Sequence, residues 1–403
     1  QMKARFTKLD QILKRYEHLW KPPAFSSIDS RLDDYPELQA WLRSLSSDDI
    51  DTLQLSDQDL LASAANYFPV ASELLSLISV PASETSKATK EVELPAFWDT
   101  GIPGRKAAQI KSFIKSQSPP TTPLIEWCCG KLHLGRLISE LYKQKVTGLE
   151  IDTQLVNQAN ILSRTRKLSN QTVALECDVL NDDLSQLLEA NHHLIALHAC
   201  GGLHVHMLKQ GVESHSNRMT FSPCCYHRFN SSENYQALSL VGRTTLLSLS
   251  NEDLRLATRQ CNTASAAETR KRKQLQAWRL GFDTLQKDIR HTDQYLPCPS
   301  LSIRILQEGF ERFCKKCAQL KDIDLPQTID FLHYQSLGQT KYQEYEKLEL
   351  VRMLFRRALE TWLVLDRCLF LEENGYHCQI STFCESSVSP RNFLIKAHLK
   401  NKT

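Results

Sequence analysis

Between residues 124 and 224 the chain alternates short apolar runs with stretches of helical periodicity, and this constrains its fold more than any other feature. Candidate strands cover 124–128, 145–150, 172–177, 194–199 and 218–224. Helical patterns fill the gaps at 134–142, 155–168, 184–188 and 203–210. Such alternation predicts parallel strands joined by helical crossovers, an α/β sheet covered on both faces.

The flanking regions read differently. Phe6, Leu9, Ile12, Leu13, Tyr16, Leu19 and Trp20 recur at helical spacing, and Pro22-Pro23 ends that run. A second helix fits 35–45, and Ser56 with Asp57 and Asp59 resembles the cap of a third. Residues 81–92 lack an apolar pattern and read as a linker. A helix follows the turn at Gly101-Ile-Pro-Gly104. After Leu247 the chain is helical for over a hundred residues, with heptad-like spacing through Leu348, Val351, Leu354, Phe355, Leu359, Leu363 and Val364. Two strand-like segments, 377–383 and 392–398, close the chain as an antiparallel pair across a turn containing Pro390. The expected organisation is a helical region and linker at 1–92, a core at 93–247, a helical insertion at 248–375 and a closing hairpin at 376–403.

A hydrophobic fraction of 41% and a charged fraction of 24% belong to an ordinary globular chain rather than a disordered one. No apolar stretch approaches the ~18 residues that span a bilayer, and no signal-like run opens the sequence, so the expected location is the cytoplasm. The 13 cysteines, an odd number, are expected as reduced thiols. The net charge of +3 does not mark a nucleic-acid binder by bulk charge, which leaves local basic patches to consider.

The chemistry gathers where the candidate strands end. The first runs into Cys129-Gly130-Lys-Leu-His-Leu-Gly135 and then a helix, a geometry that brings backbone close to a ligand at a sheet's carboxyl edge. Glu150 ends the second strand 20 residues after Gly130, the spacing of a ribose acceptor, and Asp178 ends the third, placed for an adenine amino group. Leu132 stands where a dinucleotide loop carries a glycine against the pyrophosphate. That favours a donor without phosphates, S-adenosyl-L-methionine, over NAD.

The fourth and fifth strands end in His198-Ala-Cys-Gly201 and Pro223-Cys-Cys-Tyr-His227. His198, Cys200, Cys225, Tyr226 and His227 form the candidate catalytic set, with either histidine as general base. Three readings compete: a substrate pocket, a zinc or iron–sulfur site using Cys200, Cys224, Cys225 and Cys128 or Cys129, and small buried hydrophobes. Adjacent cysteines lack the usual two-residue ligand spacing, so no metal is expected. Cys314-Lys-Lys-Cys317 has that spacing but no second pair. Arg105 and Lys106 are placed to reach the cleft from the preceding helix.

The runs Glu126-Trp-Cys-Cys-Gly-Lys-Leu-His-Leu-Gly135, Gly148-Leu-Glu-Ile-Asp152, His198-Ala-Cys-Gly201 and Pro223-Cys-Cys-Tyr-His227 resemble a Rossmann-type methyltransferase family that has bacterial members and includes the methyltransferase-like 25 group. Leu254-Arg-Leu-Ala-Thr258, Leu365-Asp-Arg-Cys-Leu-Phe370 and Ser389-Pro-Arg-Asn392 extend the likeness over roughly 95–400. It implies a seven-stranded Rossmann-like methyltransferase sheet with an N-terminal helical region and a long helical insertion before the last two strands. It implies donor contacts from Glu126, Cys128, Gly130, His133, Leu134, Glu150, Ile151, Asp178, Val179 and His198. A related group methylates the ribose of tRNA, which makes RNA the expected acceptor. The alternatives are a small-molecule or protein acceptor, and a module that binds without turnover. Arg270-Lys-Arg-Lys273 with Trp278 and Arg279, and Phe310, Arg312, Phe313, Lys315 and Lys316, would then supply phosphate contacts and base stacking.

Overall fold

A computed structural model of the chain describes residues 1–24, 31–83, 93–259 and 265–400. Seven strands form one sheet: β1 (Leu124–Trp127), β2 (Val146–Glu150), β3 (Thr172–Glu176), β4 (His193–Ala196), β5 (Arg218–Phe221), β6 (Tyr376–Thr382) and β7 (Phe393–Leu399). Their spatial order is β3-β2-β1-β4-β5-β7-β6. Neighbours from β3 to β5 pair in parallel, while β7 runs antiparallel to both β5 and β6. Seven strands closed by an antiparallel pair are what the resemblance implied. The order reverses between β1 and β4, and such a switch point opens a crevice at the carboxyl ends of the strands.

Burial explains the strand sequences. Central β1 and β4 are buried at every position, because helices cover both faces of a parallel sheet. The edge strand β3 alternates and leaves Val173 exposed. The helices begin N-terminally with α1 (Met2–Arg15), α2 (Glu17–Trp20), α3 (Pro36–Ser44), α4 (Ser47–Leu53), α5 (Asp57–Ala64) and α6 (Val70–Ile78). Around the sheet lie α7 (Gly104–Lys115), α8 (His133–Tyr142), α9 (Thr153–Thr165) and α10 (Gly202–Glu213). Ile110 and Phe113 of α7, with Leu137 and Ile138 of α8, pack against Leu124, Val146 and Ile195 of the sheet. After β5 come α11 (Asn251–Ala257), α12 (Ala266–Arg290), α13 (Phe310–Leu320) and the 43-residue α14 (Phe331–Glu373).

Some expectations need correction. Residues 184–188 form a single turn closed by Leu187 and Leu188 amides on the Leu184 carbonyl, not a helix. The Ser185 amide donates to Asp183 Oδ1 at 2.9 Å, a side-chain turn that competes with helical pairing of the backbone. β2 ends at Glu150 as expected, whereas β1, β3, β4, β5 and β6 stop one to three residues short of the predicted ends, because the backbone turns there; Cys128 already has φ 53°. The expected linker begins as part of the sheet. Ala82 bridges Thr382 in parallel, and the Ser83 amide donates to the Thr382 carbonyl at 2.8 Å. Its remainder, 84–92, lies outside the described residues.

The chain divides into two compact units. One comprises the described residues of 1–15, 76–260 and 356–403 and holds the whole sheet. The other comprises those of 16–75 and 261–355, with its own apolar cluster around Trp278, Phe282, Phe310 and Phe313. All seven heptad-like residues of α14 are buried. No helix among the described residues is long and apolar enough to cross a membrane. The twelve described cysteines are free thiols.

Candidate active site

A cavity of about 490 Å³ opens at the carboxyl ends of β1 and β4, beneath α7. Arg105, Lys106 and Gln109 of α7 line one side. Glu126, Trp127, Cys128, Gly130, His133, Leu134 and His198 line the other. The cavity therefore gathers six of the ten expected donor contacts, together with both basic residues placed at its mouth.

The turn after β1 builds its floor. Cys128, Gly130 and Leu132 adopt left-handed φ values of 53°, 54° and 57°. The middle one falls on glycine, where the conformation carries no steric penalty. The Gly130 amide donates to Glu150 Oε2 at 2.9 Å, so the 20-residue spacing is a physical contact between the two strand ends. Leu132 keeps the left-handed conformation that a glycine would favour, with its side chain fully buried in the core under the turn. Its Cδ1 fills space beside Gly135 and Gly148, where a Cβ on either would fall within 3 Å of it. The leucine is absent from the cavity wall, so the missing glycine leaves the site open.

Glu126 is buried at the cavity's deep end. Its Oε2 accepts the Gly135 amide at 2.7 Å, at the first turn of α8. Burial raises its pKa to about 7, against the opposing pull of the Gly135 amide, Lys106 and Arg136. Burial likewise pushes the Cys128 thiol up to about 12, which makes it a neutral wall. His133 is held neutral, at about 4, by desolvation and then by Arg136 and Lys106.

The other expected donor contacts stand at strand ends outside this cavity's lining. Glu150 is half-buried, and its Oε1 accepts the Asp152 amide at 3.1 Å. Ile151 is 63% exposed, an apolar surface left beside Glu150. Asp178 accepts from Asn181 Nδ2 and the Leu180 amide, which order its loop, while Val179 is buried.

The catalytic set is only partly brought together. His198 lines the cavity and also a smaller recess of about 90 Å³ with Arg105, Ser222, Cys224 and Arg391. Its pKa is lowered, first by desolvation and then by Lys106 and Arg391, so its imidazole is neutral near pH 7. The thiols of Cys200, Cys224 and Cys225 lie within 4.8 Å of one another. Contacts from Cys200 and then Cys224 hold the Cys225 thiol low, while Cys224 is raised. Tyr226 does not face the cleft. The chain reverses at Cys225, with φ 45°, and turns Tyr226 into the core, where Arg367 lies over its ring at 4.9 Å. His227 lines neither the cavity nor the recess.

Sequence reasoning singled out the motif around Arg391 without a role for it. Arg391 Nη1 stands 3.4 Å from Cys225 Sγ, and its buried Nε has no partner among the described residues. The other motifs of the resemblance converge here as supports. Asp366 accepts from Tyr235 Oη, the Leu238 and Ser239 amides and Ser239 Oγ. Arg367 Nε donates to His204 Nε2 at 2.7 Å, and Arg357 Nη2 to Asn392 Oδ1 at 2.7 Å. Arg356 donates to the Ala257 carbonyl. Residues about 130 positions apart join only on folding, so spacing carried no trace of them.

In the second unit, the expected stacking aromatics are not available. Trp278, Phe310 and Phe313 are buried against one another, with ring centroids 5.6–6.3 Å apart. Their spacing reflects an amphipathic pair of helices, whose apolar faces form a core. Lys273 is taken up by Asp51 and Glu346, each at 2.8 Å, while Arg270 and Lys271 are exposed.

Known proteins resemble parts of this chain. Residues 105–232 match a family described as a methyltransferase domain. A geranyl diphosphate methyltransferase solved with GPP and sinefungin is 15% identical; the match covers 29% of this chain and 46% of that one, with a TM-score of 0.25. The geranyl diphosphate C-methyltransferase of Streptomyces coelicolor A3(2), solved with Mg2+, geranyl diphosphate and S-adenosyl-L-homocysteine, is 12% identical over 36% of this chain and 57% of that one, at 0.26. The 23S rRNA methyltransferase ErmE is 12% identical over 53% of this chain and 98% of that one, at 0.25. This chain thus spans about half the length of the first of these relatives. Curated proteins provide no match. The matched residues 105–232 contain β1 to β5 and all but one of the residues that line the cavity.

Proposed function

We propose that the protein transfers a methyl group from S-adenosyl-L-methionine, and that the cavity under α7 holds the donor. The observation that carries this reading is the placement of opposite charges in one cavity of nucleoside size. Lys106 and Arg105 stand at one side and Glu126 at the other, with the Gly130 turn and Glu150 at the sheet edge between β1 and β2. A zwitterionic amino-acid end needs such a pair, its carboxylate toward the lysine and its ammonium toward the glutamate. Glu150 keeps lone pairs for a ribose, and exposed Ile151 offers an apolar surface for a base.

The donor supplies an electrophilic methyl carbon on a sulfonium. The chain's part is to orient an acceptor against that carbon, and orientation supplies much of the rate. With the donor bound, the acceptor's lone pair would form the new bond to carbon and the carbon–sulfur pair would return to sulfur, giving S-adenosyl-L-homocysteine. Where the acceptor is a hydroxyl, the neutral imidazole of His198 takes its proton, since His198 alone of the expected catalytic residues borders both cavity and recess. The recess beside it is lined by Arg105 and Arg391, which favours an acceptor next to a negative charge. A ribose hydroxyl of RNA, flanked by phosphate, has that chemistry.

The test is calorimetric titration of the full chain with S-adenosyl-L-methionine and S-adenosyl-L-homocysteine, beside Glu150→Ala. Saturable binding that the variant weakens supports the donor site; an absence of binding with and without cellular RNA sinks it. His198→Ala is expected to lower turnover by about 10²–10⁴-fold while leaving donor affinity within about threefold. Donor binding without transfer to RNA, protein or metabolites by the wild-type chain would instead describe a binding module.

A further inference from the structure

We propose that Cys200, Cys224 and Cys225 bind a Zn2+ ion through their three sulfurs, a site separate from the donor cavity. The proposal does not rest on the donor reading; it rests on how the backbone assembles these thiols.

β4 and β5 leave regular pairing at Ala196 and Phe221, yet their extensions meet again in a parallel bridge between Cys200 and Cys224. The two residues therefore stand side by side, with sulfurs 3.8 Å apart. Cys225 would normally point the opposite way from Cys224, since successive side chains in an extended chain alternate. Its left-handed φ of 45° removes that alternation and turns its thiol back toward the pair. A non-glycine residue in this conformation is strained, and strain of this kind persists where surrounding structure holds it, often at functional sites.

The surrounding structure is a closed loop. The Gly201 amide donates to the Cys224 carbonyl, the Arg228 amide to Cys225, and the Gly202 amide to Arg228, at 2.8–2.9 Å. Gly201 has φ 47° and ψ −117°, and a Cβ there would lie 2.0 Å from the Arg228 carbonyl oxygen. At Gly202 a Cβ would lie 1.8 Å from the Phe229 oxygen. Glycine at both positions is what lets the returning chain lie against the end of β4 and bring the third thiol in. The adjacency of Cys224 and Cys225, which argued against metal on spacing alone, is thus overcome by the turn.

The geometry suits zinc. Tetrahedral zinc with bonds of about 2.3 Å separates its sulfurs by about 3.8 Å, which the Cys200–Cys224 distance matches. A disulfide would need about 2.05 Å. Three thiolates on Zn2+ leave one net negative charge, and the Arg391 guanidinium, 3.4 Å from Cys225 Sγ, donates to it as an outer partner. Among the described residues, no other set of three such ligand groups comes as close together. With three protein ligands the ion keeps a fourth position for water or an incoming ligand, the pattern of reactive rather than purely structural zinc. Cys224 also forms part of the recess beside His198, so that position would lie near the acceptor side.

The experiment uses the full chain, stripped with chelator and reloaded with Zn2+ or Co2+. The expected result is one Zn2+ per chain in competition with a chromophoric chelator, and a sulfur-to-cobalt charge-transfer band with Co2+. Cys200→Ser and Cys225→Ser, both at half-buried positions and checked for folding by circular dichroism, should each weaken Zn2+ binding by about 100-fold. Cys317→Ser, in the other unit, should retain binding. The proposal is overturned if the stripped wild-type chain takes up no Zn2+ at micromolar concentration. It is equally overturned if Cys200→Ser and Cys225→Ser bind as tightly as wild type. Donor titration is a separate readout, so failure here leaves the donor reading standing.

Discussion

Glu126 shows how a single burial decides charge. A carboxylate at the end of β1 is ordinary in sequence, but enclosure by α7 and α8 raises it to about 7, so near neutrality it is half protonated. A cationic donor group beside it favours the ionised form. Donor binding is therefore expected to release a proton and to weaken by up to about tenfold per pH unit as pH falls below 7. Glu126→Gln should flatten that dependence between about pH 5.5 and 7, as read by titration calorimetry in buffers of different ionisation enthalpy. The sign for stability is opposite. The folded pKa lies above the unfolded one, so the stabilisation is complete below the unfolded value and is lost as pH rises through about 7. Equal donor affinity for the wild-type chain at the two ends of that range would refute the argument.

At the scale of elements, α14 ties the site together. Its Asp366 gathers the 235–239 segment through four hydrogen bonds, and its Arg367 reaches His204 and lies over Tyr226. Asp366→Ala would leave the buried Leu238 and Ser239 amides without a partner. The expected cost is about 3 kcal/mol in urea unfolding, since each orphaned amide costs about 1–3 kcal/mol. A loss below about 1 kcal/mol would mean that water or another group satisfies them. The elements themselves were largely legible, because period-2 and period-3.6 patterns follow from side-chain geometry. The turn at 184–188 was misjudged because a short apolar run carries both periods equally well.

For the molecule as a whole, the separation of charge from aromatics shapes the RNA reading. Trp278, Phe310 and Phe313 form a core, so Trp278→Ala is expected to cost about 3–5 kcal/mol of stability rather than RNA affinity alone. Arg270 and Lys271 are exposed. Replacing both with alanine should lower the slope of log affinity for tRNA against log salt by about two, from the loss of two phosphate contacts. Salt-independent binding by the wild-type chain would remove RNA as an electrostatic partner.

The sequence by itself determined the parallel core, the closing hairpin, the Gly130 turn and the place of Glu150 at the end of β2. These rest on periodicity and on contacts between consecutive strand ends, which local pattern encodes. Tertiary structure alone decided that Tyr226 faces the core, that Leu132 fills space under the turn rather than the cavity, and that Arg391 meets Cys225. Each depends on which way a chain turns after a strand and on what distant segment packs there. A left-handed residue such as Cys225 reverses a side chain's direction without leaving any mark in composition or spacing.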